Sequence, residues 1–176
     1  PYASPVAKDI PAMFVDSEKR WTASGFRVRV LLVSDKFNGP VAGYRDLLNP
    51  NLKDKIAFAK PGFGTAGGHF AALYVALGEE KYVAYLRGLR ANGIKILGGN
   101  SVVADYICGG QLLAGFTDND DAQRAIEQGA KVKMVIPDQD EGGIGTMLVP
   151  CTVSLVKGDR RGRNEAAARK LADFLM

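Results

Sequence analysis

Residues 61–69 read Pro-Gly-Phe-Gly-Thr-Ala-Gly-Gly-His, a glycine-rich stretch between two apolar segments. Residues 56–58 before it are typical of a short buried strand, and residues 70–77 after it are typical of a helix with an apolar face. The stretch therefore predicts a turn that leads from a strand into a helix. Because the first N–H groups of a helix lack intrahelical partners and carry the positive end of the helix dipole, we expect an anion or a polar ligand here.

Strand-like and helix-like patterns alternate along the rest of the chain. The predicted strands are 26–33, 56–58, 94–97, 112–116, 132–136 and 146–156. The predicted helices are 66–77, 79–91, 100–108, 117–128 and 164–176. This order predicts an α/β domain, a three-layer αβα sandwich with a mainly parallel, mixed sheet. Residues 1–25 show no clear periodicity and are interpreted as a linker or hinge-proximal segment, so that 26–176 would form a single α/β lobe.

Local patterns add detail to three of these elements. In the first strand Arg27 and Arg29 alternate with apolar residues, which predicts one solvent-exposed face. Asn100 or Ser101 is expected to cap the third helix. Cys108 and Cys151 are expected to be buried, unpaired thiols, although the sequence leaves a disulfide open.

Composition excludes several classes of protein. The 176 residues carry 23 Lys and Arg against 19 Asp and Glu, a net charge of only +4. Basic residues form no long run, and the cluster of Arg160, Arg161 and Arg163 reads as a solvated loop, so we expect no nucleic-acid binding. No apolar stretch is long enough to span a bilayer, and no signal peptide is visible. The start at Pro1 suggests a chain processed or cut from a larger one.

Polar residues follow two further strands. Gly98-Gly99-Asn100-Ser101 and Thr117-Asp118-Asn119-Asp120-Asp121 both lie at predicted strand-to-helix junctions. The carboxyl ends of parallel strands meet at one edge of a sheet, where ligands bind, so we expect these junctions to lie beside residues 61–69. One or two of the carboxylates would stabilise a helix N-terminus. Three within four residues repel each other, which favours a bound cation or a donor-rich ligand as well.

The sequence contains no recognisable catalytic arrangement. Gly62, Gly64 and Gly67 match the spacing of a dinucleotide fingerprint, but the region about 20 residues on is helical and supplies no acidic strand end. No Lys-Ser/Thr pair follows the glycines, and no Gly-x-Ser-x-Gly elbow is present. His69 is the only histidine, a poor metal site by itself. It either caps the helix at the surface or lines a ligand cleft.

An ordered set of short motifs resembles the extracellular solute-binding proteins of ABC importers, and most closely their iron(III)-binding branch. The resemblance extends from about Trp21 to Met176. The motifs that carry it are residues 46–50, 55–57, 64–73, 78–81, 99–101, 117–122 and 150–158. Such proteins have two α/β lobes with the ligand trapped between them. The resemblance implies that this chain is the second lobe, in a periplasmic-binding-protein-like fold, and that the first lobe is absent from it.

The resemblance and the polar junctions together indicate the candidate ligand-binding residues. They are Gly64, Thr65, Ala66, Gly67, Gly68, His69, Asn100, Ser101, Asp118, Asp120 and Asp121. Ferric-binding members carry an adjacent tyrosine pair where this chain has Asp120 and Asp121, the two candidates for a metal. The solute is thus either ferric iron or a small anion such as a phosphonate. For an anion, the hydroxyl, amide and glycine groups would donate, and the carboxylates would hold an amine or a metal.

The function implied is that of the solute-binding component of an ABC-type importer, not of an enzyme. Its expected partners are the small ligand and the importer's permease and ATPase, and its expected location is the periplasm or the cell exterior. No resident cofactor is expected, since ferric iron would be cargo. Two alternatives remain: a ligand-sensing effector domain of a regulator, and a small-molecule transferase that would depend on Asp120.

Overall fold

The computed structural model describes residues 2–62, 64–156 and 161–176. Phe63 of the glycine-rich stretch, Arg160 of the arginine cluster, and residues 157–158 of the last family motif lie outside this range. The chain divides into two compact units, one formed by Pro1–Arg27 with Val149–Met176 and the other by Val28–Leu148. The predicted domain boundary at residue 25 stays a prediction.

Strands and helices alternate in the predicted order. The strands are β1 (Thr22–Ser34), β2 (Ile56–Ala59), β3 (Lys95–Leu97), β4 (Ala114–Asp118), β5 (Val132–Val135) and β6 (Leu148–Val153). The helices are α1 (Gly64–Leu77), α2 (Glu79–Ala91), α3 (Asn100–Cys108), α4 (Asn119–Glu127) and α5 (Arg161–Leu175). Short 3-10 helices occupy Pro5–Asp9, Ala12–Phe14, Tyr44–Leu48 and Pro50–Leu52.

The sheet is mixed, with both parallel and antiparallel pairs of strands. Its order is β3-β2-β4-β1-β5, and β6 also pairs with β1. Strand β2 runs parallel to β3 and β4, while β1 is antiparallel to β4 and β5. Strands β2, β3, β4 and β5 therefore point the same way. The predicted α/β class with a mainly parallel, mixed sheet is confirmed.

Alternate residues of β1 enter two separate cores within the unit Val28–Leu148. Leu31 and Val33 pack in a core with side chains of α1 and α2, whereas Val30 and Leu32 pack in a core with side chains of α3 and α4. Successive side chains of a strand point to opposite faces, so both faces of this sheet are covered by helices. This arrangement confirms the three-layer prediction.

The first and fourth strands differ from their predicted bounds. Strand β1 begins at Thr22, inside the segment predicted as a linker, and β4 begins and ends two residues later than predicted. Thr117 and Asp118, predicted in a helix, are therefore the last residues of β4. The solvent-exposed face predicted for β1 is wrong at Arg29, which is 0% exposed, while Phe26 is 41% exposed. Helices pack on both faces of this part of β1, which the alternation alone does not reveal.

Two local predictions are also wrong. Helix α3 has Gly99 at its N-cap position without a side-chain capping bond among the described residues, because the Asn100 side chain bonds elsewhere and Ser101 lies inside the helix. Cys108 and Cys151 are exposed rather than buried, and both are free thiols in the described chain.

In the other unit, the N-terminal segment is tied to α5 through Asp173. The Tyr2 hydroxyl donates to this carboxylate at 2.8 Å, and the Ser4 hydroxyl donates to it at 2.6 Å. The guanidinium of Arg169 lies 4.7 Å from the centre of the Tyr2 ring. These contacts bring together residues that are about 170 positions apart in the sequence.

Candidate functional site

Three strand-to-helix junctions meet at one edge of the sheet. Strand β2 leads to α1, β3 leads to α3 and β4 leads to α4. One residue from each junction bonds to the other two. The Thr65 hydroxyl donates to Asp118 Oδ2 at 2.7 Å, and the Asn100 amide donates to Thr65 Oγ1 and to Asp118 Oδ2, each at 2.9 Å. The predicted convergence of these three junctions is therefore present in the structure.

A fourth residue, Arg29, completes this group. It lies directly opposite Asp118 in the antiparallel pairing of β1 with β4. Its Nη1 atom donates to Asp118 Oδ1 at 2.6 Å and to Asn100 Oδ1 at 3.0 Å. The side chains of Arg29 and Asp118 are 0% and 3% exposed, so the ion pair is buried.

The sequence contains one indication that Arg29 is buried, although the alternation of residues around it suggested the opposite. Arg29 shares the parity of Leu31 and Val33 on β1, which both enter the core beneath α1. A charged residue in line with two buried apolar ones needs a buried partner of opposite charge. The alternation with Arg27 instead suggested a solvated face, and the partner lies 89 residues away in the chain.

Within the Arg29–Thr65–Asn100–Asp118 network, the polar hydrogens of Thr65 and Asn100 are used internally. Both amide hydrogens of Asn100 and the hydroxyl hydrogen of Thr65 are engaged within the network. Both Asp118 oxygens accept hydrogen bonds, and Asn100 Oδ1 accepts one from Arg29. The network therefore forms the floor of the candidate site.

The starts of three helices surround this floor. Helix α1 begins at Gly64, α3 at Asn100 and α4 at Asn119. Among the described residues, neither α3 nor α4 has a side-chain capping bond. The first N–H groups of each helix lack intrahelical partners, and the positive ends of the helix dipoles add together. This edge favours negative charge. Of the predicted site residues here, Gly64 is exposed, whereas Gly67, Gly68 and Ser101 are half-buried.

Two carboxylates stand beside the floor at the start of α4. Asp120 is exposed and Asp121 is half-buried, and Arg124 Nη2 lies 3.2 Å from Asp121 Oδ1. Burial, followed by the neighbouring Asp120 carboxylate, raises the pKa of Asp121. One oxygen from each of Asp118, Asp120 and Asp121 can lie within 4.8 Å of the other two. The spacing is compatible with a cation, but Asp118 is already paired with Arg29.

His69 and Ala66 lie in the interior rather than on the site's exposed face. His69 is 1% exposed and lies among the rings of Tyr44, Phe70 and Phe116, with centroids 4.8–5.4 Å away. Neither ring nitrogen has a hydrogen-bond partner in the described chain. Burial and the charge of Arg29 lower the pKa of His69 to about 3, so the ring is neutral at physiological pH. Ala66, 4% exposed, belongs to the core beneath α3.

No family model matches the chain, but individual proteins do. A Salmonella typhi protein whose name proposes 2-aminoethylphosphonate binding in the periplasm is 24% identical over 137 residues, which cover 77% of this chain and 40% of that protein. The chain therefore spans less than half the length of this curated relative.

Solved structures match almost the whole chain. The periplasmic binding protein AfuA from Actinobacillus pleuropneumoniae, with fructose-6-phosphate bound, has a TM-score of 0.82 and 25% identity over 99% of this chain and 56% of that one. Ferric iron-binding protein A from Mannheimia haemolytica, in an open conformation, has a TM-score of 0.75 and 28% identity, with coverages of 99% and 57%. A structure described as a two-component system protein in signal transduction has a TM-score of 0.79 and 26% identity, with coverages of 99% and 56%.

Of the similar proteins described above, those whose names include a ligand are binding proteins. Within the described ranges, no helix combines the length and the apolar character needed to cross a membrane. The fold agrees with that of a periplasmic binding protein over 99% of this chain. In sequence and in fold, the chain matches part of a type 2 periplasmic binding protein, with somewhat more than half the length of the solved examples.

Proposed function

We propose that this chain captures a small anionic or zwitterionic solute for an ABC-type importer. The observation that carries the proposal is the convergence of three helix N-termini around the buried Arg29–Asp118 pair at one sheet edge. Backbone N–H groups at such an edge bind oxyanions without needing a basic side chain at the surface. The similarity to periplasmic binding proteins supports the same reading.

The solute would be held in two parts. Its anionic group would accept hydrogen bonds from the N–H groups at the starts of α1 and α3 and from the Ser101 hydroxyl. The carboxylates of Asp120 and Asp121 would face a cationic group such as an amine. The names of two similar proteins mention a phosphonate and a phosphate ester, both of which carry phosphorus oxyanions. Thr65, Asn100 and Asp118 would support the site from below.

Ferric iron is the second candidate solute. It is supported by the similarity to a ferric-binding protein and by the spacing of Asp118, Asp120 and Asp121. The pairing of Asp118 with Arg29 weighs against it, because a metal at all three carboxylates would lie beside a buried guanidinium.

The rest of the binding apparatus is inferred from the similar proteins. Since the chain spans about 56% of their length, we propose that a second lobe supplies the opposite wall of the cleft. Closure of the two lobes around the solute would follow the hinge motion of such proteins. The proposed location is the periplasm or the cell exterior, and the proposed partners are the importer's permease and ATPase. We propose no catalytic role.

Thermal unfolding in the presence of candidate solutes tests this proposal. 2-Aminoethylphosphonate, inorganic phosphate, fructose-6-phosphate and ferric citrate would each be titrated into the chain. A true solute at 100 times its Kd should raise the free energy of unfolding by about 2.7 kcal/mol. The absence of stabilisation by all four would count heavily against the proposal.

A matched pair of variants tests where the anion binds. Ser101→Glu places a carboxylate at the start of α3, whereas Ala84→Glu places the same charge on an exposed position of α2. We expect the first variant to lose anion binding and the second to retain it. Equal losses would point to net charge rather than to this site.

A sensor domain of a regulator is the second candidate function, favoured by the similarity to a signal-transduction protein. It would use the same edge to bind a solute. The two functions separate in cells: loss of the gene should abolish solute uptake in one case, and solute-dependent transcription with normal uptake in the other.

A further inference from the structure

Arg29 is paired with Asp118, one of three carboxylates that lie close enough together to hold a cation. Asp118, Asp120 and Asp121 can bring one oxygen each within 4.8 Å of the others, the arrangement of a three-carboxylate cation site. Within the same cluster, Arg29 Nη1 is 2.6 Å from Asp118 Oδ1. A guanidinium and a metal ion compete for the same carboxylate.

We infer that Arg29 determines the charge of the solute accepted at this edge, by holding Asp118 in an internal ion pair and so excluding metal cations from the Asp118–Asp120–Asp121 cluster. This inference rests on the proposed solute-binding function and narrows it to anionic or zwitterionic solutes. Arg29 is a positioning residue in this role, since it acts through Asp118 and Asn100.

Burial and backbone hydrogen bonds hold Arg29 in place. The side chain is 0% exposed. The Arg29 backbone N–H donates to Met147 O at 3.0 Å, and its carbonyl oxygen accepts from the Thr146 hydroxyl. The neighbouring pairing of β1 with β4 fixes its register opposite Asp118. A surface arginine could swing away to admit a metal, but this side chain has no such freedom.

The guanidinium keeps hydrogen-bond donors that its pairing with Asp118 does not use. Its Nε and Nη2 atoms are buried and have no hydrogen-bond partner among the described residues. The three helix N-termini at the same edge supply positive potential of their own. Asp120 and Asp121 stand at the start of α4, with Arg124 Nη2 3.2 Å from Asp121 Oδ1, and would face the cationic end of a zwitterion.

A purely structural ion pair is the competing explanation, and it makes a different prediction. If the pair only stabilised the fold, substitution of Arg29 would lower stability without creating a new binding preference. If Arg29 excludes cations, its removal frees the Asp118 carboxylate and creates a metal site. A gain of metal binding is therefore the measurement that separates the two.

The experiment titrates Tb³⁺, as a trivalent probe, and inorganic phosphate into the wild-type chain, Arg29→Met and Arg29→Lys. We expect Arg29→Met to bind Tb³⁺ at least about tenfold more tightly than wild type and phosphate at least about tenfold more weakly. Arg29→Lys, which keeps the charge, should retain the wild-type preference. Adding Asp120→Asn and Asp121→Asn to Arg29→Met should remove the gained Tb³⁺ binding.

Two outcomes would overturn the inference. One is a folded Arg29→Met chain with no gain in Tb³⁺ binding. The other is Tb³⁺ binding by the wild-type chain that Asp120→Asn with Asp121→Asn abolishes, a result that decides the question even if Arg29→Met does not fold. No Tb³⁺ binding by the wild-type chain, together with the same solute preference in Arg29→Lys, would support the inference. Failure of phosphate and every other solute to bind would count against the proposed function, whereas the Tb³⁺ comparison tests Arg29 without a known solute.

Discussion

Arg29 and Asp118 face each other across the β1–β4 ladder, with 2.6 Å between Nη1 and Oδ1, and neither side chain is more than 3% exposed. The pair is the only part of the site floor in which two full charges are buried among the described residues. The stability of the sheet edge is expected to depend on this pair, and so is the proposed choice of solute.

Removal of one charge of this pair should strongly destabilise the chain. We expect Asp118→Ala to lower the free energy of unfolding by about 3–5 kcal/mol, because it leaves a buried guanidinium uncompensated. Urea unfolding followed by circular dichroism measures the change. Asp105→Ala, which removes an exposed carboxylate from α3, is the control and should change stability by about 0.5 kcal/mol or less.

Removal of both charges should restore part of this loss. Arg29→Met combined with Asp118→Leu replaces the ion pair with apolar side chains, which is often neutral or stabilising for a buried pair. We expect the double variant to be more stable than Asp118→Ala. Equal stability of Asp118→Ala and Asp105→Ala would mean that the pair is solvated and that its assigned role is wrong.

The Thr65 hydroxyl should stabilise the site through its bond to the ionised Asp118. Thr65→Val keeps the shape of the side chain but removes the donor, so we expect a loss of about 1.5–3 kcal/mol. Thr65→Ser retains the hydroxyl and should lose much less. Thermal unfolding of the two variants side by side gives the comparison, and a larger loss for Thr65→Ser would contradict the hydrogen-bond explanation.

His69 should make the chain less stable in acid. Its pKa in the folded chain is about 3, below the ordinary value of 6.5, because burial and Arg29 disfavour the imidazolium. As the pH falls below about 6.5, the unfolded chain takes up a proton that the folded chain does not. The free energy of unfolding is therefore unaffected by His69 above pH 6.5. It falls between pH 6.5 and pH 3, by roughly 1.4 kcal/mol per pH unit.

His69→Phe is the matched variant for this measurement. It keeps an aromatic ring beside Tyr44, Phe70 and Phe116 but cannot be protonated. Urea midpoints between pH 7 and pH 4.5 should fall less steeply for the variant than for the wild type. Identical slopes would show that other groups cause the acid sensitivity.

The close approach of β2 and β4 should make Gly115 intolerant of a side chain. A Cβ at this position would lie 2.6 Å from Ala57 O and 2.8 Å from a Val103 methyl. We expect Gly115→Ala to destabilise the chain by about 1–3 kcal/mol, since backbone atoms cannot easily move aside. Gly98→Ala, where no described atom lies within 4 Å, should be tolerated, and equal effects in chemical denaturation would contradict this packing.

The polar edge could be predicted because it depends on short-range patterns. Glycine-rich and polar residues follow β2, β3 and β4, and the parallel direction of these strands brings their carboxyl ends together. The end of β4 was less predictable. The run from Ala114 to Asp118 is buried throughout, so its hydrophobic pattern does not show that Thr117 and Asp118 extend the strand.

Periodicity and turn residues along neighbouring positions were enough to predict the order of elements, the α/β class and the edge at which polar groups gather. Burial and pairing of those groups are visible only in the tertiary structure. It placed Arg29 opposite a carboxylate 89 residues away, buried His69 among three aromatic rings and engaged the side chains of Thr65 and Asn100 internally. The glycine-rich stretch at 61–69 leads into one of three helices around that floor. Pairing depends on residues distant in the chain: the parity of Arg29 with Leu31 and Val33 favours a buried position, but no local pattern identifies its partner.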